Sequence, residues 1–578
     1  MKTVTPKEMR SLERLSEKEG ISTDTLMERA GLLAARKAWM LLEGKAYSAR
    51  ITLLVGAGNN GSDGLVMARH LQAWGAHVTT FLLASRPNSD PKLLKTLTSG
   101  VTVVDASDGS SLDEIRIALS KSTMVVDAIL GTGLSRPLEG VYRDVLSATN
   151  AEHETRTDLV VFAMDVPSGV NAESGSVDSA ALSADSTLTF GFPKSGLFQF
   201  PGASFVGELT VADIGIPEYL AKDIRRELIT QKWAETNLPS RPLSAHKGTF
   251  GKVLALVGSM NYVGAAYLAC MGSARSGSGY VSLATTRSFQ ALSTTKLTEP
   301  TYLLIPEGSD GNPVPDAAST ILCNLPSYNV LLAGCGLGQH DGTNVLLERI
   351  LLSDKPIGVP IVLDADALNT LALIPKWWTR LRTPTVVTPH PGEMSRLLGK
   401  PIEDIERNRM ETAHRAAKLW GVTVLLKGAY TIVASSEGDV RIVPFANPGL
   451  ATAGTGDVLA GIIAGLVAQN MSPYDAAAMG AFIHGAAGEM VTNLFGNTGV
   501  IASDLLPMLP QTIRAIREDT FTASSVRVRA DRILFWAGLR SSICSNCSRP
   551  SLLILINRTS LGLYSRIKVW GKAAFNTC

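Results

Sequence analysis

Residues 447–470 read NPGLATAGTGDVLAGIIAGLVAQN. Gly454, Thr455 and Gly456 precede an apolar helical run, and Asp457 stands at its start. The first amides of a helix have no partner inside the helix and carry the positive end of its dipole. Such a turn suits a phosphoryl group in transfer. Asp457 is placed to take a proton from an attacking hydroxyl, the base role of phosphoryl transfer. An Asp in this position also caps a helix, and the stretch alone does not separate the two roles. The chain has no G-x-x-x-x-G-K-[ST], so the anion turn is not a P-loop.

Upstream runs GKVLALVGS, GYVSLAT, NVLLAGCGLG, IVLDADALN, TVVTPHPGE and VTVLLKGAYTIVA alternate with helical stretches. Short apolar runs in that rhythm predict a mostly parallel α/β sheet. A second such series lies between Ile51 and about Asp213: ITLLVGAGNNG, HVTTFLLAS, TMVVDAILGTG, LVVFAMDVPSG and STLTFGFPKSG. The polar segment between them ends in NLPSRP and reads as a connection. The expected organisation is therefore a first α/β domain over 1–221, a linker over 222–241, a second α/β domain over 242–522, and a tail over 523–578. From Ser525 the tail carries nine Lys or Arg against one acid, Asp531, and three of the six Cys. It reads as a disordered extension. A nucleic-acid arm is the other reading of its charge.

At 578 residues the chain is too long for one core. A net charge of +2 supplies no field to draw nucleic acid or a membrane surface. No run is apolar enough to span a bilayer, and the opening MKTVTPKEMRSLERLSEKEG reads as neither signal nor transit peptide. Six scattered Cys fit a reducing cytoplasm, the expected location.

In the first series, GAGNNGSDG (Gly56–Gly64) follows a strand and opens a helix. Gly56, Gly58 and Gly61 match G-x-G-x-x-G, which lets the backbone approach a phosphate. A dinucleotide fold that grips ribose wants an acid at the end of the next strand, but that strand ends in Ser85 and Arg86. A standard dehydrogenase site is thereby excluded. Two later strand ends carry acids: Asp127, followed by GTGLSRP, and Asp165, followed by VPSG. In a parallel sheet these ends share the ligand-binding edge. Each acid alone also serves as a cap or turn former.

NNGSDG, VVDAILGTGLSRP and MDVPSGV, in this order and spacing, resemble the NAD(P)H-hydrate epimerase family over about Met1 to Ile216. The resemblance implies a Rossmann-like three-layer domain that interconverts the R and S epimers at C6 of hydrated NADH or NADPH. It implies a potassium ion on Asn60, Asp127 and Ser168; hard oxygen donors suit that cation. It places Asn59, Asn60, Gly61, Ser62 and Asp63, then Gly131, Thr132, Gly133, Leu134, Ser135, Arg136 and Pro137, and Asp165 against the substrate. Asp165 is the candidate acid/base.

HKGTFGKVLALVGS, DADALN (Asp364–Asn369), TPHPGE (Thr388–Glu393), LLKGAYT (Leu425–Thr431) and GTGD resemble the ADP- or ATP-dependent NAD(P)H-hydrate dehydratase family over about Ser244 to Pro510. A ribokinase-like fold is implied, with a kinase-like step that ends as an elimination. The nucleotide phosphorylates the 6-hydroxyl of the S hydrate, and phosphate leaves. Asp457 is the implied base. Lys427, Gly428, Ala429, Tyr430, Thr431, Gly454, Thr455 and Gly456 are assigned to the nucleotide. Ala265, Gly338, His390 and Asp457 are assigned to the hydrated dinucleotide. Magnesium is expected on the phosphates, with Glu393 holding it through water. Cys335 departs from the family, which has Pro in that turn; no neighbour legible in the sequence would make its thiol reactive. A homo-oligomer is expected. Two other readings stay open: a kinase of a small alcohol such as a vitamin precursor, and a first domain that serves only as a binding scaffold.

Overall fold

The computed structural model describes residues 1–43, 45–133, 137–353, 357–518 and 528–529. Leu134, Ser135 and Arg136, assigned above to substrate, lie outside the described residues, as does the tail 523–578 apart from Val528–Arg529. No helix among the described residues is long and apolar enough to cross a membrane.

The first sheet contains β1 (Arg50–Val55), β2 (His77–Leu82), β3 (Thr102–Asp105), β4 (Met124–Ala128), β5 (Val160–Met164), β6 (Ser186–Phe190) and β7 (Glu208–Ala212). The second contains β8 (Arg226–Leu228), β9 (Lys252–Leu256), β10 (Tyr280–Thr285), β11 (Thr301–Leu304), β12 (Val330–Ala333), β13 (Ile361–Leu363), β14 (Thr385–Val387), β15 (Thr423–Leu426), β16 (Ile432–Ala434) and β17 (Val440–Ile442). Val528–Arg529 forms β18, parallel to β7 at the first sheet's edge.

Strand order is β18-β7-β6-β5-β4-β1-β2-β3 in the first sheet and β11-β10-β9-β12-β13-β14-β15-β16-β17-β8 in the second. All first-sheet pairs are parallel. In the second only β15–β16 and β16–β17 run antiparallel. Both sheets are covered on both faces, as their continuous apolar strands demand. Leu53 and Val55 of β1 enter one core and Leu54 the other. Val253 and Ala255 of β9 separate in the same way from Leu254 and Leu256. The order reverses between β1 and β4, and again between β9 and β12. A ligand crevice opens beyond the carboxyl ends of such strand pairs.

The stretch 222–241 is not a linker. Arg226–Leu228 adds to β17 in register as the outermost strand of the second sheet, and Ile229 N–H continues the ladder to Ile442 O at 2.9 Å. The helix Gln231–Asn237 follows, N-capped by Thr230, and buries Ala234. A three-residue edge strand with charged side chains has no apolar run to betray it. Its other edge takes the start of the chain: Leu228 N–H bonds Met1 O at 2.7 Å, Thr3 N–H bonds Arg226 O at 3.0 Å, and Lys2 Nζ pairs with Glu227 at 2.8 Å. Both sheets lie in one compact unit, Met1–Ile533.

Two candidate active sites

The second-sheet site forms where three consecutive strands end. Asp364 follows β13, Thr388 follows β14 and Lys427 follows β15. Lys427 Nζ donates to Asp364 Oδ1 at 2.6 Å, and Thr388 Oγ1 donates to the same oxygen at 2.8 Å. Lys427 also lies 3.7 Å from Glu393 Oε2. Burial disfavours the Lys427 ammonium, but Asp364 and Glu393 outweigh it and hold the group above its ordinary pKa.

Over this cluster stands the N-terminus of the helix Thr455–Ala468. Gly454 caps it at φ +91°. A Cβ there would meet Leu268 Cδ1 at 2.6 Å, a side-chain tip that can move, so it is the left-handed φ that favours glycine. A ligand atom of Asp457 lies within 4.8 Å of those of Asp364 and of Cys335. Gly456 is close to Lys427 Nζ: a Cβ built on it would sit 3.4 Å away. Burial raises the Asp457 carboxyl, and the Asp364 charge adds to this; the Cys335 thiol and Lys427 offset part, leaving it at about 7. A half-ionised carboxyl at neutral pH, beside a helix N-terminus and an ammonium, has the properties of a general base at a phosphoryl-transfer site. Burial and the nearby Asp457 and Asp364 push the Cys335 thiol well up, so it stays protonated.

Ala265 sits in the first turn of the helix Val263–Arg275, against Gly336 of the turn after β12. Gly338 N–H donates to Asp366 Oδ2 at 2.8 Å. His390 caps the helix Pro391–Leu398: its Nδ1 accepts from Gly392 N–H, while its backbone N–H donates to Glu393 Oε2 at 2.8 Å. Burial, then Lys427, keeps the imidazole below its usual pKa and thus neutral. Gly428 and Ala429 are exposed beside Lys427. Tyr430, assigned to nucleotide, instead turns its ring inward: it is 3 % exposed, with the rings of Phe198 and Phe200 centred 5.5 and 6.2 Å away. Its backbone, at φ +51°, still shapes the loop.

Sequence reading did not single out His484. It is buried on the helix Pro473–Phe495, and Nε2–H donates to Thr455 O at 3.0 Å beneath the anion turn. Burial lowers its pKa to about 4.

The first-sheet site is a cleft of about 300 Å³ at the reversal between β1 and β4. Asn59, Asn60, Asp63, Gly131, Thr132, Gly133 and Asp165 line it, joined by Glu13 and Lys194. Gly61 and Ser62 do not line it. Gly61 is pressed against Gly56 O, and Ser62 Oγ accepts from Arg86 at 3.2 Å. Arg86, where a ribose-binding acid was missing, donates to the carbonyls of Gly56 (2.7 Å) and Gly58 (3.1 Å) and to Asp90 (2.8 Å), bracing the turn from behind. Pro137 is exposed and outside the lining.

Asp165 holds the strained φ of +66°. Its Oδ1 accepts from the buried Lys194 ammonium, from Thr189 Oγ1 at 3.1 Å and from Phe190 N–H at 3.3 Å. Lys194 was visible only as part of a quoted strand-end motif; its 1 % side-chain exposure was not. Asp127 is fully buried: Oδ1 accepts from Ser168 Oγ (2.7 Å) and Ile129 N–H (3.1 Å), Oδ2 from Ser168 N–H (2.7 Å). Burial raises it to about 6. Asn60 Nδ2 donates to Met164 O at 3.1 Å, leaving Oδ1 buried without a partner.

Residues 253–511 match the family model described as NAD(P)H-hydrate dehydratase, and residues 23–196 match the YjeF-related protein N-terminus. The bifunctional NAD(P)H-hydrate repair enzyme Nnr of Moorella thermoacetica is 40% identical over 529 residues, covering 90% of this chain and 98% of that one. Its counterpart from Thermofilum pendens is 38% identical over 527 residues, 90% and 97% of the two chains. The crystal structure of a Bacillus subtilis ADP/ATP-dependent NAD(P)H-hydrate dehydratase is 30% identical over 50% of this chain and 98% of its own, with a TM-score of 0.43. The sequence thus carries both halves of these enzymes in their order, and the chain belongs to the bifunctional NAD(P)H-hydrate repair enzyme family.

Proposed function

We propose that the second-sheet site dehydrates the S form of hydrated NADH or NADPH at the expense of ADP or ATP, while the first-sheet cleft interconverts the R and S epimers. The observation that carries this is the meeting of Asp457, Asp364 and Lys427 under the amides of Gly454–Gly456. Asp457 takes the proton of the 6-hydroxyl as that oxygen attacks the terminal phosphoryl group. The helix amides and Lys427 hold the charge that develops on the phosphoryl oxygens. The C6–O bond then breaks with loss of phosphate, a far better leaving group than hydroxide, and a proton leaves C5 to restore the dihydropyridine. Backbone of Lys427–Thr431 faces the nucleotide; Ala265, Gly338 and His390 face the dinucleotide. Glu393 would hold magnesium through water by Oε1, since Oε2 is committed to its helix cap. A bound magnesium ion would neutralise phosphate charge.

Asn60, Asp127 and Ser168 fit a potassium ion. The group offers an unpartnered buried amide oxygen and a buried carboxylate that no cationic side chain reaches among the described residues. Potassium there would fix the Gly131–Gly133 and Val166–Ser168 turns around the substrate.

The test supplies mixed epimers to the full chain with each nucleotide and follows recovery of dihydronicotinamide absorbance. Complete recovery of both epimers is expected. Recovery of neither, with phosphorylation of a vitamin alcohol instead, would establish the small-molecule kinase reading.

A further inference from the structure

Glu13 belongs to none of the three motifs of the first domain. It projects from the helix Pro6–Lys18, one turn beyond Met9, and both residues line the cleft. Among the described residues nothing donates a hydrogen bond to its carboxylate and no cation pairs with it, although it is largely sequestered from solvent. The charged groups around it are Arg10 on its own helix, Lys194 after β6, Asp165 after β5 and Asp63 on the helix Asn59–Ala73. Lys194 is already committed to Asp165, Thr189 and Phe190. Asp165 is equally committed: one oxygen accepts three bonds and the carboxylate is paired with an ammonium. A group so fixed is a poor shuttle for protons. Two cleft carboxyls accept no hydrogen bond among the described residues, Asp63 and Glu13; Asp63 is buried on the helix that opens the strand-end turn, whereas Glu13 is partly exposed and comes from an element apart from those turns.

We propose that Glu13 is the proton donor and acceptor at the C6 hydroxyl during epimerisation, with the Asp165–Lys194 pair fixed beside it; this rests on the epimerase reading above. The step balances without any oxidant or reductant. Glu13 gives its proton to the 6-hydroxyl, the C6–O bond breaks with loss of water, and the N1 lone pair forms N1=C6. Water then adds to the other face of the planar C6, the N1=C6 π pair returns to nitrogen, and the Glu13 carboxylate takes back the proton. Asp165 lies near enough to favour the transient positive charge. Burial, reinforced by Asp165 and opposed by Lys194 and Arg10, holds the Glu13 carboxyl above its ordinary pKa, a shift that favours the proton-donating form.

The experiment uses the full chain, pure R hydrate and no nucleotide, and separates the epimers by chromatography. Dehydration of pure S hydrate with ADP is measured on the same preparations. Glu13→Gln should lower R-to-S conversion by about 100-fold or more, the usual weight of an acid–base group. Its KM should stay within about threefold and S dehydration should be unchanged. Glu13→Asp should recover part of the rate, and the fall in wild-type rate as pH rises through the titration of Glu13 should be missing from Glu13→Gln. In H2-18O each epimerised molecule should carry solvent oxygen at C6. Glu13→Gln epimerising within twofold of wild type, or product that keeps its original oxygen, overturns the proposal. A wild-type chain that does not epimerise above the spontaneous rate overturns the epimerase reading instead.

Discussion

Replacing Asp457 by Asn keeps the shape of the residue and removes the base. If the carboxylate draws the proton from the 6-hydroxyl, the loss should be about 10²–10⁴-fold in kcat for dehydration. At 1.36 kcal/mol per decade that is roughly 3–5 kcal/mol of the barrier. The wild-type profile sets a second constraint. With its carboxyl at about 7, Asp457 is mostly protonated at pH 6 and mostly ionised at pH 8. Activity should therefore rise about tenfold between these values and level off. The asparagine variant should lack that rise. Stability runs the other way. A carboxyl raised in the folded state binds its proton more tightly there than in the unfolded chain. Stability is therefore lost as pH climbs from near 4 through 7. Asp457→Asn, which never ionises, should melt above wild type at pH 8, by at most about 4 kcal/mol before solvent screening. The gap should close towards pH 4. The assay is the return of dihydronicotinamide absorbance from S hydrate and ADP, paired with thermal melts. Loss of less than tenfold, or a flat wild-type profile between pH 6 and 8, would refute the reasoning.

Gly454→Ala must adopt φ +91° and push Leu268 aside, costing about 1–2 kcal/mol in backbone strain alone; melting and phosphate-dependent turnover should both drop, with epimerisation intact. Phe200→Ala removes one ring from Tyr430, worth about 0.5–1.5 kcal/mol; the nucleotide KM should rise by up to about tenfold in steady-state kinetics while kcat changes little. His484→Ala removes the second hydrogen bond to Thr455 O beneath the anion turn, worth about 0.5–1.5 kcal/mol; dehydration should slow and R-to-S conversion should not.

What the sequence exposed and what it hid follow one physical division. The GTGD and GAGNNGSDG turns were legible because clustered glycines ahead of a helical run mark a sharp turn in the sequence itself. Asp127, Asp165 and Lys427 were legible because a polar residue ending an apolar run marks the ligand-facing edge of a sheet. Glu13 and His484 were hidden because each sits on a helix whose sequence gives no reason to expect a partner more than a turn away. Glu13 meets Lys194 across some 180 residues of chain, and only the packing brings them together. Tyr430 misled for the opposite reason: it lies inside the loop assigned to the nucleotide, but its ring packs inward against Phe198. The strand at 226–228 was concealed by its own composition, since an outermost strand gains by carrying Arg and Glu.

That small strand has a consequence for how the molecule comes apart. Through it, the opening residues that precede the Glu13 helix are hydrogen-bonded to the same ribbon that closes the nucleotide-side sheet. Severing the polypeptide at residue 242 would strip the C-terminal half of a border strand and leave the N-terminal half holding it by the opening residues alone. Heat or denaturant should accordingly melt both halves together, so that a temperature high enough to unfold one half ends both activities at once.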